Sequence, residues 1–233
     1  MTQGEFVTRI VNDIRALNKD THVSRRWILR MGKSRAETYV AQKWDEGRLF
    51  GELSLFTHIS CLPMIRIKSI DCCFAEFKQC GVLMRSKDRI PGMVHANLRP
   101  SILQVTSVDD NIHFTYTSLR AYKNNTARRF GSLESEHYYV SDGYIYIPDI
   151  NIKAVNVDVI TLKQKEALAL AGCGKEDDDE GSCKSEWDYE FVCPTKLLEA
   201  VAVETLNEAV NILKISQDEN PNMDSNIRSS TTP

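Results

Sequence analysis

Apolar residues recur at helical spacing toward both ends of this chain and at strand spacing through its middle. Over residues 24–44, SRRWILRMGKSRAETYVAQKW, Ile28, Leu29, Gly32, Ala36, Tyr39 and Val40 share one arc of a helix. Ser24 stands where an N-cap would, with Val23 before it as a hydrophobic staple. The opposite face carries Arg30, Ser34, Glu37, Thr38 and Gln42, interrupted by Trp27 and Met31 one turn apart. Two large apolar residues opposite a core face suit contact with a second surface; the competing reading covers them within the monomer. Gly32 costs a helix about 1 kcal/mol against alanine, so a close neighbour is expected there. Residues 2–17 form an earlier helix, with capping-box spacing at Thr2 and Glu5. Its apolar face is Phe6, Val7, Ile10, Val11, Ile14 and Leu17.

Gly47 and Gly51 end or loosen the second helix, and residues 52–62 read equally well as a short helix or a connector. From Pro63 the period becomes two. In PMIRIKSI, Ile65 and Ile67 alternate with Arg66 and Lys68. SILQVTS (101–107), an Asp109-Asp110-Asn111 turn and NIHFTYTS predict one hairpin, with Ile112, Phe114 and Tyr116 on one side. EHYYV, Ser141-Asp142-Gly143 and YIYIP predict a second, and Val155, Val157 and Val159 a further strand.

Helix is expected again from Thr161 through TLKQKEALALA to Gly172. The acidic run at 175–181 reads as a solvated, mobile loop. Pro194 opens a helix over 195–215 whose apolar residues cover most of its circumference, so it should be buried nearly all round. The polar tail from Gln217 to Pro233 should be disordered unless a partner orders it. These patterns predict an α+β fold. Residues 1–62 and 161–216 form a helical bundle, residues 63–160 an inserted antiparallel β domain, and residues 217–233 a docking tail.

A chain of 233 residues, 42% hydrophobic, can bury a sizeable core. Its net charge of −3 gives the whole molecule no electrostatic reason to grip a duplex tightly. No apolar run is long enough for a membrane span, and the N-terminal stretch reads as an amphipathic helix, not a signal peptide. Seven scattered cysteines suit a reducing site of synthesis, most of them as small buried hydrophobes. Cys72, Cys73 and Cys80 lie close together, with His58 and Cys61 upstream, but adjacent Cys72 and Cys73 would point to opposite faces of a strand, unlike zinc knuckles. Cys173, Cys183 and Cys193 are evenly spaced across the acidic loop and match no site. There is no P-loop, dinucleotide fingerprint, nucleophile elbow or HExxH. Neither cofactor, metal nor catalytic residue is expected. Arg25, Arg26, Arg30, Lys33 and Arg35 make the start of the second helix basic. The favoured reading is a solvated face with partners one turn on, such as Lys33–Glu37; phosphate contact would instead make the protein a cytoplasmic nucleic-acid-binding regulator, and pairing with an acidic neighbouring subunit is a third reading.

In order along the chain, THVSRRWILRMGKSRAE, CGVLMRSKDRIP, DGYIYIP and the long WDYEFVCPTKLLEAVAVETLNEAVNILKISQDENPNMDSN resemble the head-to-tail connector proteins of short-tailed phages. Within these they are most similar to the adaptor or ring proteins of crAss-like gut phages. The likeness spans roughly residues 5–225 and is carried by the shared order of motifs. It departs at Thr161-Leu162-Lys163, where an Asp-Pro is expected. The resemblance implies a virion structural protein, made in the host cytoplasm, with no enzymatic activity. It implies a homo-oligomeric ring, commonly of twelve copies, beneath the portal protein at the head-tail interface. Such a ring extends the DNA channel, passes genomic DNA at ejection without tight binding, and docks other ring or tail proteins. Ring closure needs two different contact faces on each subunit. Trp27, Met31, Arg25, Arg26 and Arg30 are candidate contacts on one side, and Met223, Ile227 and Arg228 in the tail on another.

Overall fold

A computed structural model describes residues 1–19, 21–49, 51–67, 82–94, 96, 99–126, 136–148, 150–173 and 185–213. The acidic loop and the tail lie outside them. Helix α1 (Gln3–Leu17) begins with the expected capping box: the Thr2 hydroxyl accepts from the Glu5 amide, and the Glu5 carboxylate accepts from the Thr2 amide. Helix α2 (Arg25–Asp45) follows, but Ser24, although at the N-cap position, makes no side-chain cap bond. A 3-10 turn (Leu53–Leu55) leads into strand β1 (Thr57–Arg66). Then come β2 (Leu83–Ser86), β3 (Ile102–Ser107), β4 (His113–Tyr116), helix α3 (Leu119–Thr126), β5 (His137–Ser141), β6 (Tyr144–Pro148) and β7 (Ala154–Val159). Short helix α4 (Gln164–Leu168) and long helix α5 (Leu198–Leu213) complete the described elements.

The expected helical bundle with an inserted β domain is overturned. The seven strands form a closed barrel in the order β1-β2-β6-β5-β4-β3-β7, with β7 returning to β1. All neighbours are antiparallel except β4 and β5, which pair in parallel through Thr115–His137 and Tyr116–Tyr138. Both predicted hairpins are present as β3–β4 and β5–β6. The non-local pairing of β1 with β7 is what closes the sheet and makes the barrel the centre of the fold. Ile59, Leu62, Met64, Val105, Phe114, Ile145, Ile147, Val155 and Val157 fill its interior.

The start of β1 is corrected: it begins at Thr57, so residues 57–62, read as part of a short helix or a connector, belong to the strand. The register slips between Ile59 and Leu62, where Cys61 adopts a left-handed backbone conformation (φ 52°). One added residue turns Leu62 and Met64 inward and leaves Ile65 exposed, so the Ile65/Ile67 alternation marks the outer face.

Helices α1, α2 and α5 pack on one another beside the barrel. Phe6, Val7, Ile10, Ile14, Ile28, Leu29, Val201 and Ala209 form their core, together with Phe191. A Cβ on Gly32 would lie 2.5 Å from Phe6 Cε1, so the close neighbour expected there is the Phe6 ring, itself stacked on Phe191 at 4.0 Å. A third cluster, Val40, Trp44, Leu49, Leu55, Val94, Ile160 and Val192, joins the end of α2 to the barrel. Trp44 is fully buried, and its indole N–H donates to the Pro100 carbonyl at 3.1 Å.

Two helical expectations are revised. Helix α4 has five residues, and Thr161 does not cap it. Thr161 instead bridges to Met93, its hydroxyl donating to the Pro91 carbonyl at 2.5 Å. Helix α5 is not buried all round: Val203 and Ile212 are exposed, and Leu206, Val210 and Leu213 are half-buried. Among the described residues no helix is long and apolar enough to cross a membrane.

Candidate interaction surface

The basic start of α2 is largely engaged within the chain. The Arg25 guanidinium donates to Thr8 Oγ1 at 2.8 Å and lies 5.5 Å from the centroid of the Trp187 ring. Lys33 Nζ pairs with Glu186 at 2.7 Å, and Arg35 with Glu208 at 2.8 Å. Arg26 and Arg30 are exposed and make no hydrogen bond or ion pair with the described residues. Two unengaged cations are few for gripping a phosphate backbone. Trp27 and Met31 are half-buried against the helical core, so each keeps only part of its surface for a second molecule. Met223, Ile227 and Arg228 lie outside the described residues.

Polar contacts fix the helix layer. Arg9 donates to Glu199 at 2.6 Å, and this bond holds the Glu199 carboxyl below the usual glutamate value. The Tyr39 hydroxyl donates to Glu204, which raises the phenol above its ordinary value. The outer wall of the barrel carries a cross-strand ladder: His58 Nδ1 is 2.6 Å from Asp158 Oδ1, and Gln104 Nε2 donates to Asp158 Oδ2 at 2.5 Å.

Between the helix layer and one end of the barrel lies an open groove of about 1000 Å³. Lys33 and Glu37 of α2 line one side; Arg89, Met93, Asp142 and Lys163 line the other. Near its rim, Arg85 and Arg89 lie 4.5 and 5.1 Å from the centroid of the Tyr144 ring. The buried Gln3 side chain reaches this groove, and its amide oxygen has no partner among the described residues. Interspersed charge, a few apolar side chains and an unmet acceptor suit a polar stretch of polypeptide. This groove was missed by sequence reasoning, because well-separated stretches of the chain converge to build it and none carries a motif.

The cysteines depart from the expected thiols. Cys61 and Cys173, 112 residues apart, form a disulfide. Cys193 is free and buried, and burial pushes its thiol up to about 12, as suits a small hydrophobe and not a nucleophile. Cys72, Cys73, Cys80 and Cys183 lie outside the described residues. Among the described residues, no three His, Cys, Asp or Glu side chains gather as metal ligands would. No curated protein matches the chain. A family model described as phage tail ring protein 2 matches residues 5–227, nearly the whole chain, and the protein therefore belongs to that family of crAss-like phage ring proteins.

Proposed function

We propose that this virion protein assembles as a closed ring, of twelve copies, beneath the portal, extending the DNA channel and docking the next ring or tail protein. The carrying observation is the family match over residues 5–227. On this reading the protein is made in the host cytoplasm, carries no catalytic residues, and passes DNA at ejection without tight binding. A net charge of −3 suits a channel along which DNA must slide. Subunit contacts involve the remaining free surface of Trp27 and Met31, with Arg26 and Arg30 beside them and Arg25 supporting the same region. The tail from residue 217 docks on a neighbour or on the portal through Met223, Ile227 and Arg228. The two apolar residues, four apart, are too few to fold alone but suffice as paired anchors.

The test mixes the purified protein with its portal and images the product by negative stain. Rings of uniform size seated on the portal support the proposal; a protein that stays monomeric and ignores the portal overturns it. Deleting residues 217–233 should leave the monomer's melting temperature unchanged and weaken portal binding or ring formation. Assembly of undiminished affinity would show that the tail is only an end.

A further inference from the structure

We propose that Cys61 and Cys173 form an exchange site for small thiols that opens and closes within the folded barrel, with Cys173 as the entry sulfur and Cys61 as the leaving and resolving sulfur. The two residues sit in different surroundings. Cys173 is exposed, whereas Cys61 is only 6% exposed, held in the bulge of β1. Thiol–disulfide exchange needs direct approach of a thiolate to one sulfur of the bond, so access selects which one is attacked.

The surrounding backbone is also held by contacts other than the sulfur bond. β1 pairs with β7 on both sides of the bulge, through Thr57–Ile59 and through Leu62–Pro63. The Cys61 amide donates to Asn156 Oδ1 at 3.0 Å, and the Gly172 amide donates to the Ser60 carbonyl at 3.1 Å. The Gly172 contact keeps its segment against the bulge when the bond is open. The approach is close enough that a Cβ on Gly172 would lie 2.5 Å from the Cys61 carbonyl oxygen. The Cys61 and Cys173 Cα atoms, 5.4 Å apart, are thus held within disulfide reach by contacts other than the disulfide. Reclosure is then an intramolecular step between groups already placed.

A small thiolate attacks Cys173 Sγ, the sulfur–sulfur bond breaks, and Cys61 leaves as a thiolate that takes a proton from water. The product is a mixed disulfide at Cys173 and a free thiol at Cys61. In the return step the Cys61 thiolate attacks Cys173 Sγ and expels the small thiol. Full reduction consumes a second thiol, which attacks the sulfur of the mixed disulfide and leaves as a small disulfide. The reduced pair closes again with a small disulfide as the two-electron oxidant: the Cys173 thiolate attacks it and releases one small thiol, and the Cys61 thiolate then attacks Cys173 Sγ and expels the second.

The experiment uses the full-length oxidised protein with reduced glutathione under native conditions, with peptide mapping to assign the modified sulfur and near-ultraviolet circular dichroism to follow the fold. A glutathione adduct is expected at Cys173 and not at Cys61, with the spectrum unchanged. In parallel, Cys61→Ser with oxidised glutathione should gain its Cys173 adduct about tenfold faster or more than Cys173→Ser gains one at Cys61. Equal reactivity at the two sulfurs overturns the proposal. So does opening whose rate rises in step with denaturant-induced unfolding. If either serine variant fails to fold, the wild-type adduct position and its denaturant dependence still decide.

Discussion

Replacing Gly32 with alanine tests the packing of the helix layer through the sign of its effect. At an exposed helical position the change should stabilise by about 1 kcal/mol, because alanine is the better helix former. Gly32 is buried, and the added methyl would lie 2.5 Å from Phe6 Cε1 and 3.0 Å from Cζ. The Phe6 ring is fully buried and stacks on Phe191 with 10° between the planes, so it cannot swing aside without breaking that stack. Overpacking of this kind costs roughly 1–3 kcal/mol. Less the propensity gain, Gly32→Ala should destabilise by up to about 2 kcal/mol, a fall of up to ~8 °C in melting temperature for a chain of this size. Urea titration followed by fluorescence measures the change at constant m-value. The double variant Gly32→Ala/Phe6→Leu should recover part of the clash term, because the smaller side chain makes room. A single variant that is more stable than the parent by about 1 kcal/mol would refute the reasoning, since it would mean that α1 does not press against α2 there.

Reducing the Cys61–Cys173 bond, which closes a loop of 112 residues, should cost about 2–4 kcal/mol; superimposable oxidised and reduced denaturation curves would show that the bond leaves stability untouched. Trp44→Ala should cost about 3–5 kcal/mol, because a fully buried indole at the junction of α2 and the barrel leaves a cavity and orphans the Pro100 carbonyl; a loss below about 1 kcal/mol in denaturant would contradict that placement. The Arg9 hydrogen bond depresses Glu199 below 4.5, so its contribution is present above the unfolded value and lost as pH falls through the folded one. Glu199→Gln should therefore flatten the fall in melting temperature below about pH 4.5, and identical pH slopes for variant and parent would remove this pair from the acid response.

Features written in short stretches of sequence were legible. The Thr2–Glu5 capping box, the two hairpins and the need for a close neighbour at Gly32 each depend on residues a few positions apart, and each is present. Barrel closure was not legible, because period-two alternation identifies strands without saying that β7 returns to β1. The bulge at Cys61, which sets which side of β1 faces the core, is a local backbone choice that no Gly or Asn announced. Thr161 looked like a helix cap from its neighbours, but its hydroxyl was claimed by the Pro91 carbonyl, 70 residues upstream. At the candidate surface, sequence marked Trp27 and Met31 as facing away from the main core arc. It gave no sign that Arg25, Lys33 and Arg35 would be spent on Thr8, Glu186 and Glu208. A disulfide between cysteines 112 residues apart has no spacing signature at all.

The return of β7 to β1 also sets the order of events during synthesis. His58 and Asp158, 100 positions apart in the chain, face each other across the closing pair. As the chain leaves the ribosome, β1 emerges first, and the partner along this edge is among the last parts of the barrel to be made. Until then β1 carries an unsatisfied row of amides and carbonyls, open to pairing with any other nascent chain. Non-local closure of this kind folds slowly, because the loop must be brought together before any contact rewards it. The protein thus has a strand edge to protect for as long as its own translation lasts.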